Sequence, residues 1–186
     1  MRILKLFILF IALVLISCER DDICAETTAT TPRLLIEFYD ASNIDDLKSV
    51  LRLTAYGEEL VVDENGNQIE PIVASDATLL FNENSNALNL PLFIGTENDR
   101  TTVRFVLEKF TNFRIDDDPT TESNRDIIEI SYKPEFIYVS RACGYKSIFK
   151  NLDIDLEDDS DNWISNIDIV ETTIENENTV HVRIFH

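Results

Sequence analysis

The chain has 186 residues, of which 35 are Asp or Glu and 16 are Lys or Arg, so its formal net charge is −19. A surface with this excess of negative charge repels phosphate backbones and anionic headgroups, which argues against nucleic acids as partners. The length suits one domain, or at most two small ones, and is sufficient to bury a core without help from a metal.

The first 17 residues have the pattern of a signal peptide. Arg2 and Lys5 make the first residues positively charged, and residues 6–16 are all apolar. A bilayer-spanning helix needs about 20 such residues, so this segment is too short to be one. It ends in Leu15-Ile16-Ser17-Cys18, which resembles the lipobox of bacterial lipoproteins. The alternative is an ordinary signal peptide with an incidental cysteine.

The lipobox resemblance implies that Cys18 is acylated and becomes the first residue of the mature chain. Two or more acyl chains hold a protein stably at a membrane, so the membrane is a predicted partner. Residues 18–32 have the composition of a tether. Glu19, Asp21 and Asp22 resemble the acidic signal that sends some lipoproteins of Bacteroidota to the outer face of the outer membrane; a solvated linker is the equal alternative. The predicted location is the outer membrane, facing either the surface or the periplasm.

The remaining two cysteines, Cys24 and Cys143, form an even pair in a chain that we expect to be exported. Export to an oxidising compartment favours a disulfide between them. Two buried thiols or a metal site are the alternatives. A Cys/His zinc site lacks ligands, because His181 and His186 are the two histidines of the chain.

Residues 33–186 alternate between apolar and polar positions with the period of two that is typical of β-strands. Asn65-Gly66 predicts a hairpin turn, and Asn43 predicts the cap of a short helix at residues 44–49. These features together predict a single antiparallel β-sandwich, immunoglobulin-like or related. The predicted strands lie at residues 34–39, 51–55, 60–63, 68–73, 77–81, 87–94, 103–113, 128–132, 137–139, 152–156, 167–169 and 180–184.

Three segments of the sequence together indicate a family: CERDDIC, TPRLLIEFYDA and DIIEISYKPEFIYVSRACGYKSIFKNL. They resemble a family of small lipoproteins of Bacteroidota that is known only as a domain of unknown function. The resemblance covers most of the mature chain and is closest at its two cysteine-bearing ends. It implies export, lipidation and a β-rich domain, and it implies no activity and no catalytic residues.

The sequence offers no set of catalytic residues. It contains no Gly-x-Ser-x-Gly turn and no glycine-rich phosphate loop. We expect His181 to face outward from the last strand, between Val180 and Val182, and His186 to be frayed at the chain end. Paired carboxylates are so abundant that none stands out as the acid and base of a hydrolase.

Calcium is the one cofactor for which the sequence supplies suitable ligands, because a hard cation prefers several oxygens on a tight loop. One candidate loop carries Asp155, Glu157, Asp159 and Asp161, and a second carries Asp116, Asp117 and Asp118. The more common role of such loops is that of a solvated turn.

Exposed aromatic residues are a further candidate for a binding face, although core positions are the more common outcome for such residues. We predict a non-catalytic binding or accessory module of the cell envelope whose partner is an envelope protein or a glycan. The alternatives are a hydrolase that uses carboxylates, with or without calcium, and a structural envelope component that binds another membrane protein. The aromatic candidates are Tyr39, Tyr56, Phe136, Tyr138 and Trp163.

Overall fold

Two five-stranded β-sheets are stacked in the computed structural model, which describes residue 24 and residues 31–116 and 122–186. The predicted all-β, sandwich-like fold is confirmed. In chain order the elements are β1 (Leu34–Asp40), β2 (Asn43–Leu47), β3 (Val50–Gly57), β4 (Thr78–Ser85), β5 (Ala87–Leu90), β6 (Thr101–Lys109), the short helix α1 (Thr111–Ile115), β7 (Asn124–Ser140), β8 (Gly144–Leu156), β9 (Asn166–Ile169) and β10 (Val182–Phe185).

The first sheet has the order β2-β1-β10-β9, and β5 pairs with β1 on the same side as β2. The pair β1 and β10 is parallel, with Ile36 opposite Val182 and Phe38 opposite Ile184. This pair departs from the purely antiparallel sandwich that the sequence predicts. The second sheet has the order β4-β3-β6-β7-β8 and is antiparallel throughout.

The main core lies between the two sheets. Leu34, Ile36 and Phe38 of β1 are fully buried, as the alternation of that strand predicts, and they pack in one cluster with Ile128 and Ile130 of β7. Burying a side chain of this size contributes roughly 1.5–3 kcal/mol to folding. A second, smaller cluster of Tyr56, Val61 and Val106 packs with Ala77 and Ile127.

The hairpin turn at Asn65-Gly66 is confirmed. Gly66 has a φ of 81°, and its backbone N–H donates to the carbonyl of Asp63 over 3.0 Å. The flanking residues form one isolated bridge, Val62 with Gln68, where the sequence predicts two longer strands.

The predicted helix at residues 44–49 is wrong. Residues 43–47 form the exposed edge strand β2, in which Leu47 lies opposite Tyr39. The backbone N–H of Lys48 donates to the carbonyl of Phe38 over 2.9 Å, so pairing with β1 replaces helical hydrogen bonding here. The side chain of Asn43 donates to Asp46 and does not cap a helix.

Pro134 does not interrupt the sheet, so the predicted strands at 128–132 and 137–139 are one strand, β7. Pro134 lies opposite Phe149, whose own N–H and carbonyl bond to Ile174 on the far side of β8. The missing N–H of Pro134 therefore faces the side where β6 has already ended, since β6 pairs with β7 only as far as Tyr132. A proline is tolerated at such an edge position.

The predicted strand at 103–113 is shorter than expected. The strand β6 ends at Lys109, Phe110 takes a left-handed φ of 60°, and α1 follows as a single turn of helix. Among the described residues, no helix is both long and apolar enough to cross a bilayer.

Both predictions about the histidines are wrong. His181 is 1% exposed, and its Nδ1 accepts a hydrogen bond from the backbone N–H of Leu35 over 2.9 Å. It lies just before β10, where the chain has not yet entered the regular alternation of that strand. His186 is half-buried, and its backbone N–H and carbonyl both bond to the segment 39–41.

His181 makes stability depend on pH, because burial lowers the pKa of its imidazole. The unfolded chain then binds more protons than the folded one below about pH 6.5, so the free energy of unfolding falls as the pH drops through that value. We expect His181→Asn, which keeps an acceptor for Leu35 and cannot titrate, to show a smaller loss. Urea unfolding at pH 7.5 and at pH 5.5 measures this loss in the free energy of unfolding for the wild type and the variant.

A second variant that tests the same effect is His186→Asn. Burial also lowers the pKa of His186, so each single variant should lose part of the pH dependence and the double variant should lose more. An unchanged pH dependence in the His181 variant would contradict the prediction.

Candidate functional site

The predicted disulfide between Cys24 and Cys143 is confirmed, with the two Cα atoms 4.8 Å apart. Cys143 lies in the turn between β7 and β8, so the bridge joins Cys24 to the end of that hairpin. Thr31 adds a second contact, because its side-chain hydroxyl accepts a hydrogen bond from the N–H of Ser147 over 3.1 Å. Cys18, the candidate for lipidation, lies outside the described residues.

The four candidate calcium ligands of the first loop have separate environments. Asp155 lies on β8, and Glu157 forms an ion pair with Arg104. The carboxylate of Asp159 accepts a hydrogen bond from the backbone N–H of Asp161 over 2.9 Å, which is the geometry of a tight turn. Within the part of the chain that the structure describes, no group of three or more acidic, histidine or cysteine side chains is placed to hold a metal ion. Calcium binding by this loop stays a prediction.

The second acidic loop is described only in part. Asp116 follows α1, and its backbone N–H donates to the carbonyl of Asn112 over 3.0 Å. Asp117 and Asp118 lie outside the described residues.

Glu108 and Asp126 are the two acidic residues that are buried in the described part of the chain, and both have structural partners. Glu108 forms a bidentate ion pair with Arg114, at 2.6 and 2.9 Å, and its carboxylate also accepts a hydrogen bond from the hydroxyl of Ser123. Asp126 accepts from the backbone N–H groups of Trp163 and Ile164. Burial raises the pKa of Asp126, which these hydrogen bonds oppose. The two carboxylates thus anchor loops to the second sheet.

The aromatic candidates divide into two groups. Tyr56 is buried, and Tyr39 and Trp163 are half-buried, with Trp163 packed against the main core and its indole N–H bonded to the carbonyl of Leu107. Phe136 and Tyr138 are exposed on the β7–β8 hairpin. The structure therefore supports a core position for part of this set and an exposed one for the rest.

A groove of about 530 Å³ opens beside the ends of β3 and β5, and we name it the apolar groove. Its volume lies in the range of roughly 300–1,000 Å³ that is typical of ligand sites. Leu92 and Phe105 form a buried floor, while Leu60 and Phe93 remain 65% and 66% exposed at its rim. Its residues are Gly57, Glu58, Glu59, Leu60, Leu79, Pro91, Leu92, Phe93, Thr102, Val103, Arg104 and Phe105.

Two local features hold the rim of the apolar groove in place. The backbone N–H of Leu60 donates to the carbonyl of Gly57 over 3.0 Å, and a Cβ at Gly57 would lie 2.7 Å from the Cδ1 atom of Leu60. Glycine therefore lets Leu60 fold back over β3. The hydroxyl of the buried Tyr132 donates to the carbonyl of Phe93 over 2.8 Å and fixes the second rim residue.

Charged residues flank one side of the apolar groove. Arg104 of β6 pairs with Glu58, with Glu157 and, over 3.3 Å, with Glu129. Hydrogen bonds to Glu58 and Glu157 raise the pKa of the Arg104 guanidinium above its usual value. Three carboxylates around one guanidinium leave this side of the groove net negative.

The sequence does not predict the apolar groove, because its two rim residues come from different loops that are more than 30 positions apart. The signal that it does contain is local: Leu60 follows two glutamates at the start of the predicted strand 60–63, and Phe93 follows Pro91 in the predicted strand 87–94. Only the stacking of the sheets brings the two side chains to one place.

The disulfide is expected to contribute strongly to stability. It closes a loop with a sequence separation of 119, which corresponds to about 4–5 kcal/mol in the chain-entropy description. We expect the double variant Cys24→Ser with Cys143→Ser to unfold at a clearly lower urea concentration. The wild-type protein with reductant should match the variant, and a loss below about 1 kcal/mol would contradict the prediction.

Comparison with known proteins gives one family. The model of DUF6452, a family of unknown function, matches residues 68–186, which include every element from β4 to β10. No curated protein and no solved structure matches the chain. With nearly two thirds of its length matched, the chain belongs to the DUF6452 family.

Proposed function

We propose that the chain is a lipoprotein of a Bacteroidota-type outer membrane, anchored through acyl chains on Cys18, that binds another envelope protein without catalysing a reaction. The anchor is supported by the short apolar segment and by the Leu15-Ile16-Ser17-Cys18 sequence. The disulfide agrees with this location, because such bridges persist in oxidising compartments.

The observation that carries the binding role is the exposure of Leu60 and Phe93 on the rim of the apolar groove. Large apolar side chains that stay exposed around a concave floor are typical of interaction sites. The lining is mainly apolar, with polar groups at one side, so an apolar segment of a protein suits it better than a sugar, which needs many hydrogen bonds. The net negative flank favours a basic residue beside that segment.

The anchor is tested with Cys18→Ala in the full chain. We expect the wild-type protein to float with membranes and to carry an acylated N-terminal cysteine by mass spectrometry. The variant should remain unprocessed and lack the acyl chains, because the modified thiol is gone.

Cys24→Ser is the matched control for the anchor, since it also removes a thiol near the N-terminus and should be processed normally. A Cys18→Ala protein that is processed and fractionates like the wild type would contradict the assignment.

The apolar groove is tested by photo-crosslinking in intact cells, with a benzophenone amino acid placed at Phe93. We expect a discrete protein adduct that is lost when Leu60→Ser is added, because truncating the rim removes the apolar contact. The control position is Ile72, which is 69% exposed and is not part of the groove lining.

Equal adduct patterns at positions 93 and 72 would contradict a groove-specific partner. An adduct at 93 that survives Leu60→Ser would place the contact outside the groove. A glycan partner would be favoured if the adduct at position 93 contains no second protein and is lost when an envelope polysaccharide is added.

A further inference from the structure

The end of the β7–β8 hairpin extends beyond its neighbours. The strand β6 pairs with β7 no further than Tyr132, whereas β7 continues to Ser140 and β8 begins at Gly144. The segments beside the hairpin reach Phe136, whose N–H donates to Glu97, and Lys146, whose Nζ donates to the carbonyl of Glu175. The last residues of the hairpin, which we name the hairpin tip (residues 137–146), begin at these contacts, and residues 137–145 extend past them.

The hairpin tip differs in composition from the rest of this acidic protein. Residues 136–149 contain Arg141 and Lys146 and no Asp or Glu. Tyr138 and Tyr145 lie opposite each other on one face, with ring centroids 5.5 Å apart, and are 55% and 70% exposed. Exposed tyrosines next to basic residues are typical of protein surfaces at the membrane–water interface, where the ring is partly buried and the hydroxyl stays hydrated.

The hairpin tip is also the part of the domain that is tied closest to the proposed anchor. Cys143 in the tip is bonded to Cys24, which is six positions after Cys18 in the sequence. Six residues span at most about 20 Å when fully extended. If Cys18 carries the acyl chains, the disulfide holds the tip within that distance of the lipid surface.

We propose that the hairpin tip docks on the lipid headgroups, with Tyr138 and Tyr145 in the interface and Arg141 and Lys146 beside anionic headgroups. This inference rests on the proposed acylation of Cys18. The occupant is a bilayer because the tether ends there and because residues 136–149 carry two basic and no acidic side chains on a chain whose formal charge is −19. The rest of the acidic surface is repelled from the same headgroups, which fixes the orientation of the domain.

The test places a tryptophan at the tip of the full-length acylated protein. Tyr145→Trp is reconstituted into vesicles of phosphatidylethanolamine and phosphatidylglycerol, and quenching by lipids brominated near the headgroup is measured. The matched control is Ile72→Trp, because Ile72 has almost the same exposure, 69% against 70%. It lies near the other end of β7, about 40 Å away along the strand, where Arg114 bonds to Pro71 and Arg125 bonds to Glu70.

We expect quenching at position 145 to exceed that at position 72 about threefold or more, after subtraction of the signal of Trp163 in the wild-type protein. Adding Cys24→Ser with Cys143→Ser should reduce the difference, because the tip is then no longer tied to the anchor. Arg141→Gln with Lys146→Gln should reduce it in anionic vesicles and leave it unchanged in neutral ones.

The outcomes separate this inference from the proposed function. Protein that floats with the vesicles but shows equal quenching at positions 145 and 72 overturns the docking and leaves the anchor intact. Protein that carries no acyl chains and does not float overturns both. Absence of lipid quenching at position 145, together with shielding of this tryptophan from aqueous acrylamide when envelope proteins are added, assigns the tip to a protein partner and overturns the lipid assignment.

Discussion

The parallel pairing of β1 with β10 is the constraint on which the first sheet depends. It joins the first described strand to the last one, and β10 in turn carries β9 while β1 carries β2 and β5. Val182 and Ile184 are fully buried beside Ile36 and Phe38, so the centre of this sheet is assembled from the two ends of the chain. His181 and the terminal His186 are held by the same pairing, which explains why neither is exposed.

Local sequence patterns predict much of the fold because the alternation of buried and less buried residues is preserved in strands such as β1 and β5. They fail where a distant partner decides the outcome. Residues 43–47 have the pattern of a capped helix and become a strand because the edge of β1 is open to them, and Pro134 is tolerated because β6 ends before it. Of the candidate sites, the disulfide followed from cysteine count and compartment, whereas the apolar groove depends on two loops that meet only in the folded chain.

The distribution of charge agrees with one orientation of the domain. Of the acidic residues in the described part of the chain, all but Glu108 and Asp126 are exposed or half-buried, while residues 136–149 have two basic residues and no acidic one. Buried charges are few, and Glu108 with Arg114 forms a paired, hydrogen-bonded unit that avoids the cost of an isolated ion. This arrangement agrees with the proposed contact of the hairpin tip with anionic headgroups.

If the hairpin tip docks on lipid as proposed, the length of β7 sets the height of the apolar groove above the membrane. Phe105 in the floor of the apolar groove and Arg104 in its flank lie on β6 opposite Ile128 and Glu129, eleven to twelve residues before the end of β7 at Ser140. With the hairpin tip at the lipid surface and the strand upright, the groove stands about 35–40 Å above the headgroups. That is well beyond the screening length of about 8 Å at physiological salt. A partner of the groove would therefore be selected by its own charge and shape, without interference from the lipid charge.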